Sequence, residues 1–443
     1  MAEKLKKQHI DTLVHGRWII PVEPQQTVLE NHCIAVENGN IVALVPSTEA
    51  EHRYLAKQVY HLDRHVLLPG LINSHGHAAM SLLRGYADDK PLMDWLENHI
   101  WPAEAANVGE EFVHDGSMLA LAEMIRSGTT CFSDMYFFPN VTARLCQEAG
   151  IRAQLSFPIF DFPSAWGDGP DDYISKGLNL RDDFKHSDLI TIVFGPHSPY
   201  TVAHDKLGKV ATLAAELDTA IHIHLQETAD EIQQSIDNHQ RRPLEIINDL
   251  GLLGPRSQCV HMTQVSVSDL QLLSATGAHV IHCPQSNMKL ASGICPTQTL
   301  LDHGINVALG TDSAASNNSL DMFQEMRTAA LLAKVSSNDP SALPAHQALA
   351  MATINGAKAM GIDDRLGSLK QGKYADFIAV DFGNPATQPV HDCISQLVYA
   401  VNSRQVSHSW IAGKLMMENG KLTTLNTKQI VANAGHWQQK MTT

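Results

Sequence analysis

The sequence lacks several features that mark common classes of protein. It has no apolar run near the roughly 18 residues that a membrane-spanning helix needs, and no apolar signal segment follows its basic start, MAEKLKKQHID. Its seven cysteines include no CxxC pair, so neither a thiolate zinc site nor a disulfide framework is indicated. We therefore expect a cytoplasmic protein with reduced cysteines and no membrane partner.

Basic residues are scarce relative to acidic ones. Lys and Arg number 32 against 47 Asp and Glu, which gives a formal net charge of −15 at pH 7. Such a chain repels polyanions, so we expect a small-molecule ligand and no nucleic-acid partner. Although aromatic residues make up only 6%, 44% of the chain is apolar and 18% is charged, values typical of a globular protein.

What the chain does have is a regular alternation of strand and helix patterns between about residues 65 and 361. Short apolar runs are followed by amphipathic stretches long enough to carry the chain back to the start of a parallel strand. The pattern predicts eight strands, at residues 66–72, 129–135, 151–157, 189–195, 220–226, 258–262, 278–283 and 306–310. Eight such units close into an α/β barrel of the (β/α)8 type, and a doubly wound open sheet is the alternative.

The two chain ends have a different pattern, with short alternating runs on either side of the turns at Asn38-Gly39 and Ala412-Gly413. Neither end is long enough to form a convincing sheet domain alone. We therefore predict that residues 1–64 and 372–443 are the two halves of one small β-sandwich formed by both chain ends. Residues 65–371 form the (β/α)8 TIM barrel between them.

Histidine and aspartate side chains stand where the predicted barrel strands end, which is where barrel enzymes carry their catalytic groups. His75 and His77 follow the first strand two positions apart, so both side chains point the same way. His224 ends the fifth strand and Asp312 ends the eighth. Three imidazoles and one carboxylate suit Zn²⁺ better than Ca²⁺ or Mg²⁺, although Fe²⁺ shares these preferences. The sequence thus predicts a metal ion at the barrel mouth.

Two further histidines of the barrel strands are expected below the metal. His222 has the same parity as His224 and is an alternative ligand, but His224 lies nearer the strand end and Glu227, so we assign the ligand role to His224. His282, in the seventh strand, is expected to be a hydrogen-bonded residue of the barrel interior.

The segment LPGLINSHGH, which ends at His77, resembles the first-strand signature of the amidohydrolase superfamily. The order HxH, His, His and Asp over strands one, five, six and eight is similar to that family's metal site. The segment KQGKYADF at 370–377 resembles its return from barrel to sandwich. Because the fourth predicted strand contains no lysine to bridge two metals, the resemblance implies one Zn²⁺ per subunit.

Three longer segments are similar to the 5-methylthioadenosine/S-adenosylhomocysteine deaminases: GPHSPYT at 195–201, CPQSNMKLASG at 283–293 and GTDSAASNNS at 310–319. This resemblance implies hydrolytic deamination of an adenine-type purine nucleoside to the inosine analogue, with release of ammonia. The candidate substrates are 5-methylthioadenosine, adenosine and S-adenosylhomocysteine. We also expect a homo-oligomer.

The resemblance implies roles for side chains around the metal. Glu227, three residues after the zinc histidine, carries protons to the ring nitrogen and to the leaving ammonia. His261 orients the attacking water, and Asp312 accepts a proton from it while also binding the metal. On the substrate side, the resemblance implies that His197 contacts the purine and that Glu104 binds the ribose hydroxyls.

Ser316 is also expected near the substrate. No arginine stands at the end of the third strand, where related deaminases hold the amino-acid tail of S-adenosylhomocysteine. We therefore expect 5-methylthioadenosine and adenosine to be better substrates. A loop with Phe160, Phe162 and Trp166 is expected to offer an apolar surface to the methylthio group.

Two other functions share parts of this pattern. Guanine, pterin and triazine aminohydrolases have much of the same metal site, and Glu104 discriminates against them because a free base offers no ribose diol. A non-catalytic barrel scaffold is the third interpretation. It predicts lost metal ligands, and none is missing from this sequence.

Overall fold

The computed structural model describes residues 7–442, and within this range the chain forms two sheets of eight strands each. Residues 1–6 of the predicted N-terminal segment and Thr443 lie outside the described residues. In chain order the strands are β1 Gln8–Ile19, β2 Leu29–Glu37, β3 Asn40–Pro46, β4 Tyr54–Pro69, β5 Leu71–Asn73, β6 Thr129–Met135, β7 Arg152–Ile159, β8 Ile190–Pro196, β9 Ile221–Leu225, β10 Ser257–His261, β11 His279–His282, β12 Val307–Leu309, β13 Phe377–Asp381, β14 Val406–Ile411, β15 Lys414–Glu418 and β16 Lys421–Leu422.

Helices follow most of the barrel strands, and three more lie among the strands of the chain ends. In chain order the helices are α1 Ser47–Arg53, α2 Leu92–Trp95, α3 Trp101–Asn107, α4 Glu110–Arg126, α5 Pro139–Ala149, α6 Pro170–Phe184, α7 His204–Glu216, α8 Ala229–His239, α9 Pro243–Asp249, α10 Val267–Thr276, α11 Pro284–Lys289, α12 Thr297–Asp302, α13 Ala314–Asn317, α14 Met322–Ser337, α15 Ala345–Met351, α16 Ile354–Ala359, α17 Cys393–Tyr399 and α18 Thr427–Thr442. A π-helical turn at Leu96–Ile100 joins α2 to α3, and short 3₁₀ turns lie at Ala78–Leu83, Pro385–Thr387 and Ser403–Gln405.

Strands β5 to β12 form the barrel that the sequence predicts. They are parallel and lie in the sheet in their chain order. A bridge between Gly76 and Asp312 joins the chain just after the first strand to the chain just after the last, so the sheet closes on itself. The predicted α/β barrel is confirmed, and the open sheet is excluded.

The first predicted strand, residues 66–72, is wrong in its extent. Residues 66–69 belong to β4 and pair with β13 of the other sheet, where Leu68 faces Ile378. The barrel strand begins only at Leu71, after Gly70. A side chain at Gly70 would lie 2.0 Å from Oγ1 of Thr130, so the chain changes sheets where only glycine fits. The apolar run is buried on both sides of this point, and its pattern therefore hides the break.

The second sheet is formed by both chain ends, as predicted. Its strand order is β16-β15-β14-β13-β4-β1-β2-β3, and the N-terminal and C-terminal halves meet where β4 pairs with β13. The sheet folds over, since a side chain at Gly39 in the β2–β3 turn would lie 2.9 Å from the carbonyl oxygen of Ala412 in the β14–β15 turn. The division of the chain after residues 64 and 371 stays a prediction.

The C-terminal segment also contains helices that its alternating pattern did not predict. In α18, Trp437 packs edge-on against Phe112 of α4 at 5.2 Å between ring centroids, and its indole donates to Oδ2 of Asp115 at 2.9 Å. The last helix of the described chain is therefore anchored to the barrel. In residues 7–442, no helix is both long enough and apolar enough to cross a membrane.

Candidate active site

The predicted metal ligands meet at the carboxyl end of the barrel. The Nε2 atoms of His77 and His75 lie 3.3 Å and 3.5 Å from Oδ1 of Asp312. Nε2 of His224 lies 3.3 Å from Nε2 of His75. Ligand atoms of His75, His77 and Asp312 lie within 4.8 Å of one another, and so do those of His75, His224 and His261. Each of these two groups could hold a metal ion.

Hydrogen bonds on the far side of the histidine rings leave Nε2 free to bind a metal. His77 donates from Nδ1 to the carbonyl of Met135 at 2.5 Å, and His224 donates from Nδ1 to the carbonyl of His197 at 2.9 Å. Because a carbonyl only accepts, each neutral ring carries its hydrogen on Nδ1 and its lone pair on Nε2. Coordination by Nε2 requires this tautomer, and the residues therefore fit a zinc ion.

The charge states around Asp312 also suit a cation. Burial alone would raise the pKa of Asp312, but the neighbouring rings of His75 and His77 hold it well below its usual range. Burial lowers the pKa of His75 and of His224 well below the ordinary histidine value. For His77, burial is outweighed by Asp312, which raises its pKa to about 8. A metal that binds near neutral pH must displace that proton.

Three strand ends reach the site through unusual backbone geometry. Gln226, His261 and Asp312 have φ angles of 52°, 78° and 61°, in the left-handed region that residues with a Cβ rarely adopt. Such conformations persist where the surrounding structure holds them, and they concentrate at functional sites. Here they turn the chain at the carboxyl ends of β9, β10 and β12.

Glu227 lies beside His261 at the rim of the metal cluster. Its Oε2 is 3.6 Å from Nε2 of His261, and its Oε1 accepts a hydrogen bond from Oγ of Ser292 at 3.1 Å. Burial raises the pKa of the Glu227 carboxyl, although His261 opposes the shift. A raised pKa brings a carboxyl group closer to the pH at which it both gives and takes protons.

A second glutamate holds the main chain of this segment. The carboxylate of Glu231 accepts hydrogen bonds from the backbone N–H of Gln226 at 2.9 Å and of Glu227 at 2.8 Å. Burial raises the pKa of Glu231 to about 7. The Thr228-x-x-Glu231 spacing that begins α8 is a helix-capping pattern, and this was the available signal for a residue that sequence reasoning missed.

A cavity of about 690 Å³ opens above the metal cluster. The predicted site residues that line it are His77, Glu104, His197, His224, Glu227, His261, Asp312 and Ser316, while His75 lies fully buried behind the wall. The structure therefore brings all nine predicted residues to one place, eight of them on the surface that a substrate would touch.

Glu104 stands on α3, on the cavity wall. The phenol of Tyr136, just beyond the end of β6, donates a hydrogen bond to its Oε1 at 2.6 Å. Burial raises the pKa of Glu104 to about 7, and the bond from Tyr136 opposes the rise. Sequence reasoning missed Tyr136, because no local pattern shows that residues 32 positions apart will meet.

His197 and Ser316 both line the cavity. The His197 ring packs against Phe160 with 4.9 Å between centroids, and burial lowers its pKa to about 3, which keeps the ring neutral. Ser316 belongs to a hydroxyl chain in which Oγ of Ser286 lies 2.9 Å from Oγ of Ser316 and donates to Oδ2 of Asp312 at 2.6 Å. Ser286 is thus a further residue that the sequence did not reveal.

The apolar surface of the cavity differs in part from the prediction. Phe160 and Phe162 line the cavity, but Trp166 does not, because its ring stacks on Tyr173 at 5.8 Å in the outer packing of the loop. A larger apolar wall comes from the segment between β5 and β6. Its lining residues are Leu92, Trp95, Leu96, Ile100, Trp101 and Val108. Among the cavity-lining residues of the described chain there is no lysine and no arginine.

A (β/α)8 barrel whose strand ends bring together histidines and an aspartate beside a buried glutamate is typical of metal-dependent hydrolases. A sequence profile described as the amidohydrolase family matches residues 66–416. The chain belongs to the amidohydrolase family. The predictions of this family and of a metal-dependent aminohydrolase are thereby confirmed.

Similar proteins have consistent names. A 5-methylthioadenosine/S-adenosylhomocysteine deaminase of Teredinibacter turnerae is 52% identical over 432 residues, covering 98% of both chains. A 5'-deoxyadenosine deaminase of Methanosarcina mazei is 39% identical over 433 residues, covering 96% of both. The crystal structure of an adenosine deaminase from Xanthomonas campestris with bound zinc has a TM-score of 0.98 and 45% identity, covering 98% of this chain and 99% of that one.

Proposed function

We propose that this protein removes the amino group from adenine-type nucleosides by zinc-dependent hydrolysis, giving the inosine analogues and ammonia. The observation that carries the proposal is the meeting of three imidazoles and a carboxylate beside Glu227 in one cavity. The three similar proteins described above are all named as nucleoside deaminases, and this supports the proposal.

The proposed metal site has four ligands: His75, His77, His224 and Asp312. These residues would hold a zinc ion, which would lower the pKa of a bound water and so supply a nucleophile near neutral pH. His261 also lies in the cluster, but its Nδ1 is bonded to the side-chain amide of Asn287 at 3.0 Å and its Nε2 faces Glu227. We therefore assign it the role of orienting the attacking water.

Glu227 is the proposed proton carrier. Deamination at C6 of a purine needs one proton on the neighbouring ring nitrogen and another on the departing ammonia. The carboxyl of Glu227 faces the cavity at the edge of the cluster, and its raised pKa suits both uptake and release. Asp312, whose pKa is held low, accepts a proton from the attacking water in this proposal.

The substrate contacts follow from the cavity wall. Glu104 has one oxygen bonded to Tyr136, which leaves its other oxygen for the ribose hydroxyls. A neutral His197 offers a ring nitrogen to the purine, and Ser316 offers a hydroxyl group from the same cavity lining. Since the cavity lining in the described part of the chain contains no lysine or arginine, the amino-acid tail of S-adenosylhomocysteine would lose hydration without gaining such a partner for its carboxylate. We propose that 5-methylthioadenosine and adenosine are the preferred substrates.

The metal assignment is tested by elemental analysis. We expect about one zinc per chain in the wild type and none in a His75→Ala/His77→Ala double variant, because two of the four ligands are gone. Two tightly bound metals per chain, or unchanged zinc in the double variant, would refute the mononuclear site. Iron in place of zinc would correct the metal and keep the ligands.

The reaction is tested by ammonia release from adenosine, guanine, a pterin and an aminotriazine. We expect metal-dependent release from adenosine that is abolished by chelation and restored by zinc. Higher kcat/KM for guanine, a pterin or a triazine would establish the alternative aminohydrolase. No release from any compound by the zinc-loaded protein would favour the scaffold. A homo-oligomer stays a prediction.

A further inference from the structure

The three proposed histidine ligands differ in what holds the far side of their rings. His77 and His224 donate from Nδ1 to main-chain carbonyls, which no side-chain substitution removes. Nδ1 of His75 instead lies 2.8 Å from Nε2 of His222. His75 is thus the one proposed imidazole ligand whose orientation depends on another side chain.

His75, His222 and Gln258 form a series of hydrogen bonds, and the bond from Gln258 to the main chain fixes the direction of the others. The side-chain nitrogen of Gln258 donates to the carbonyl of Ala359 at 2.8 Å, and a carbonyl cannot donate. The amide of Gln258 therefore presents its oxygen to Nδ1 of His222, 2.6 Å away. The side-chain nitrogen of Gln154 also donates to that oxygen, at 2.8 Å, which agrees with the same orientation.

The remaining directions follow in order. Since the oxygen of Gln258 only accepts, His222 carries its hydrogen on Nδ1. His222 is fully buried and has no carboxylate among its hydrogen-bond partners, so its ring is neutral and Nε2 is an acceptor. His75 must then donate from Nδ1, which leaves the lone pair of its Nε2 facing Asp312 and His224.

We propose that His222 and Gln258 are positioning residues that hold His75 in the tautomer able to bind the metal. The inference rests on the metal centre of the proposed function. Both side chains are fully buried, so no solvent replaces the lost acceptor when His222 is changed. The opposite tautomer of His75 would point an N–H at the ion and could not coordinate it.

The test is the zinc affinity of folded apoprotein, measured by competition with a chromophoric chelator. The variant His222→Leu fills the space and removes the acceptor, and we expect zinc affinity to fall about 10–100-fold, the usual effect of losing a partner of a metal-bound histidine. In His222→Gln a side-chain oxygen replaces Nε2 as acceptor, so affinity should be largely restored. Far-UV circular dichroism and thermal melting of the apoproteins verify the fold.

A matched control is His282→Leu. His282 is also a buried histidine of the barrel, but it has no hydrogen bond to His75, and its Nδ1 has no partner within residues 7–442, contrary to the bonded state predicted from sequence. We expect His282→Leu to leave zinc affinity unchanged. A loss equal to that in His222→Leu would show a general packing effect and would overturn the proposal.

A second readout reports the tautomer itself. Long-range ¹H–¹⁵N spectra of apoprotein labelled at histidine should show His75 with its hydrogen on Nδ1 in the wild type and a mixture of tautomers in His222→Leu. Two results would overturn the proposal that His222 and Gln258 position His75. One is wild-type His75 with its hydrogen on Nε2, and the other is a folded His222→Leu protein with wild-type zinc affinity. If the wild type binds no zinc at all, the proposed metal centre itself is refuted. That result differs from a wild type that binds zinc and a His222→Leu variant that binds it equally well, which would refute only the positioning role.

Discussion

The two ends of the active-site cavity are built in opposite ways. At the metal end, polar side chains come from the carboxyl ends of barrel strands, and hydrogen bonds fix the direction of each one. At the other end, the wall is apolar and comes from the segment between β5 and α4 and from the loop after β7. In the proposed function, the barrel strands therefore supply the chemistry, whereas the inserted segments select the nucleoside.

The largest effect is expected for Glu227→Gln, a variant that tests proton transfer at the metal end without removing a proposed metal ligand. Glu227→Gln should keep zinc and bind substrate but lower turnover about 10²–10⁴-fold, because an amide cannot carry the proton. Steady-state kinetics and zinc content of the same preparation measure this. The exposed Glu216→Gln on α7 is the matched control and should have wild-type turnover. Turnover above about a tenth of the wild type in Glu227→Gln would remove the residue from this role.

A smaller effect is expected where the two ends meet, at Glu104. Glu104→Gln should lower kcat/KM for adenosine about 10–150-fold, the equivalent of one hydrogen bond to a charged group, and should hardly change kcat/KM for adenine. The difference arises because adenine has no ribose hydroxyls. An equal loss for both compounds would mean that Glu104 contributes to the chemistry at the metal end and does not bind the ribose. The contrast between the two ends of the cavity would then be wrong for this residue.

The smallest effect is a pH dependence. Burial raises the pKa of Glu104 to about 7, so the carboxylate form is present above that pH and is lost as the pH falls. About nine-tenths of the groups are protonated one unit below the pKa, and KM for adenosine should rise several-fold between pH 8 and pH 6. Tyr136→Phe removes the donor that opposes the shift, so the midpoint should move to higher pH. A KM independent of pH, or a midpoint unmoved in Tyr136→Phe, would contradict this account of the wall.

The metal end was largely predictable because its signals are local. Alternate residues of a strand share a face, and the ends of parallel strands meet, so the amino-acid sequence alone places the HxH pair, His224 and Asp312 together. The boundary of the first strand was not predictable, because one unbroken apolar run passes from β4 to β5 and is buried in both sheets.

The far end was predicted less well because its contacts join distant parts of the chain. Tyr136 reaches Glu104 across 32 positions, and Trp166, an apolar residue in a suitable loop, turns away to pack on Tyr173. The wall at Leu92 and Trp101 lies in irregular helical turns with no strand-end pattern to mark it. Such tertiary contacts leave no periodic signal in the sequence.

The most direct test of the account is one series of kcat/KM values for adenine, adenosine, 5-methylthioadenosine and S-adenosylhomocysteine with the zinc-loaded enzyme. A metal end that deaminates and an apolar, cation-free far end predict that 5-methylthioadenosine and adenosine lead. S-adenosylhomocysteine should be at least about tenfold lower, since burying an unpaired charged group costs more than the about 1.4 kcal/mol that corresponds to a factor of ten. Adenine should be lowest because it cannot engage Glu104. A clear lead for S-adenosylhomocysteine would contradict the apolar far end, and a lead for adenine would contradict the nucleoside assignment itself.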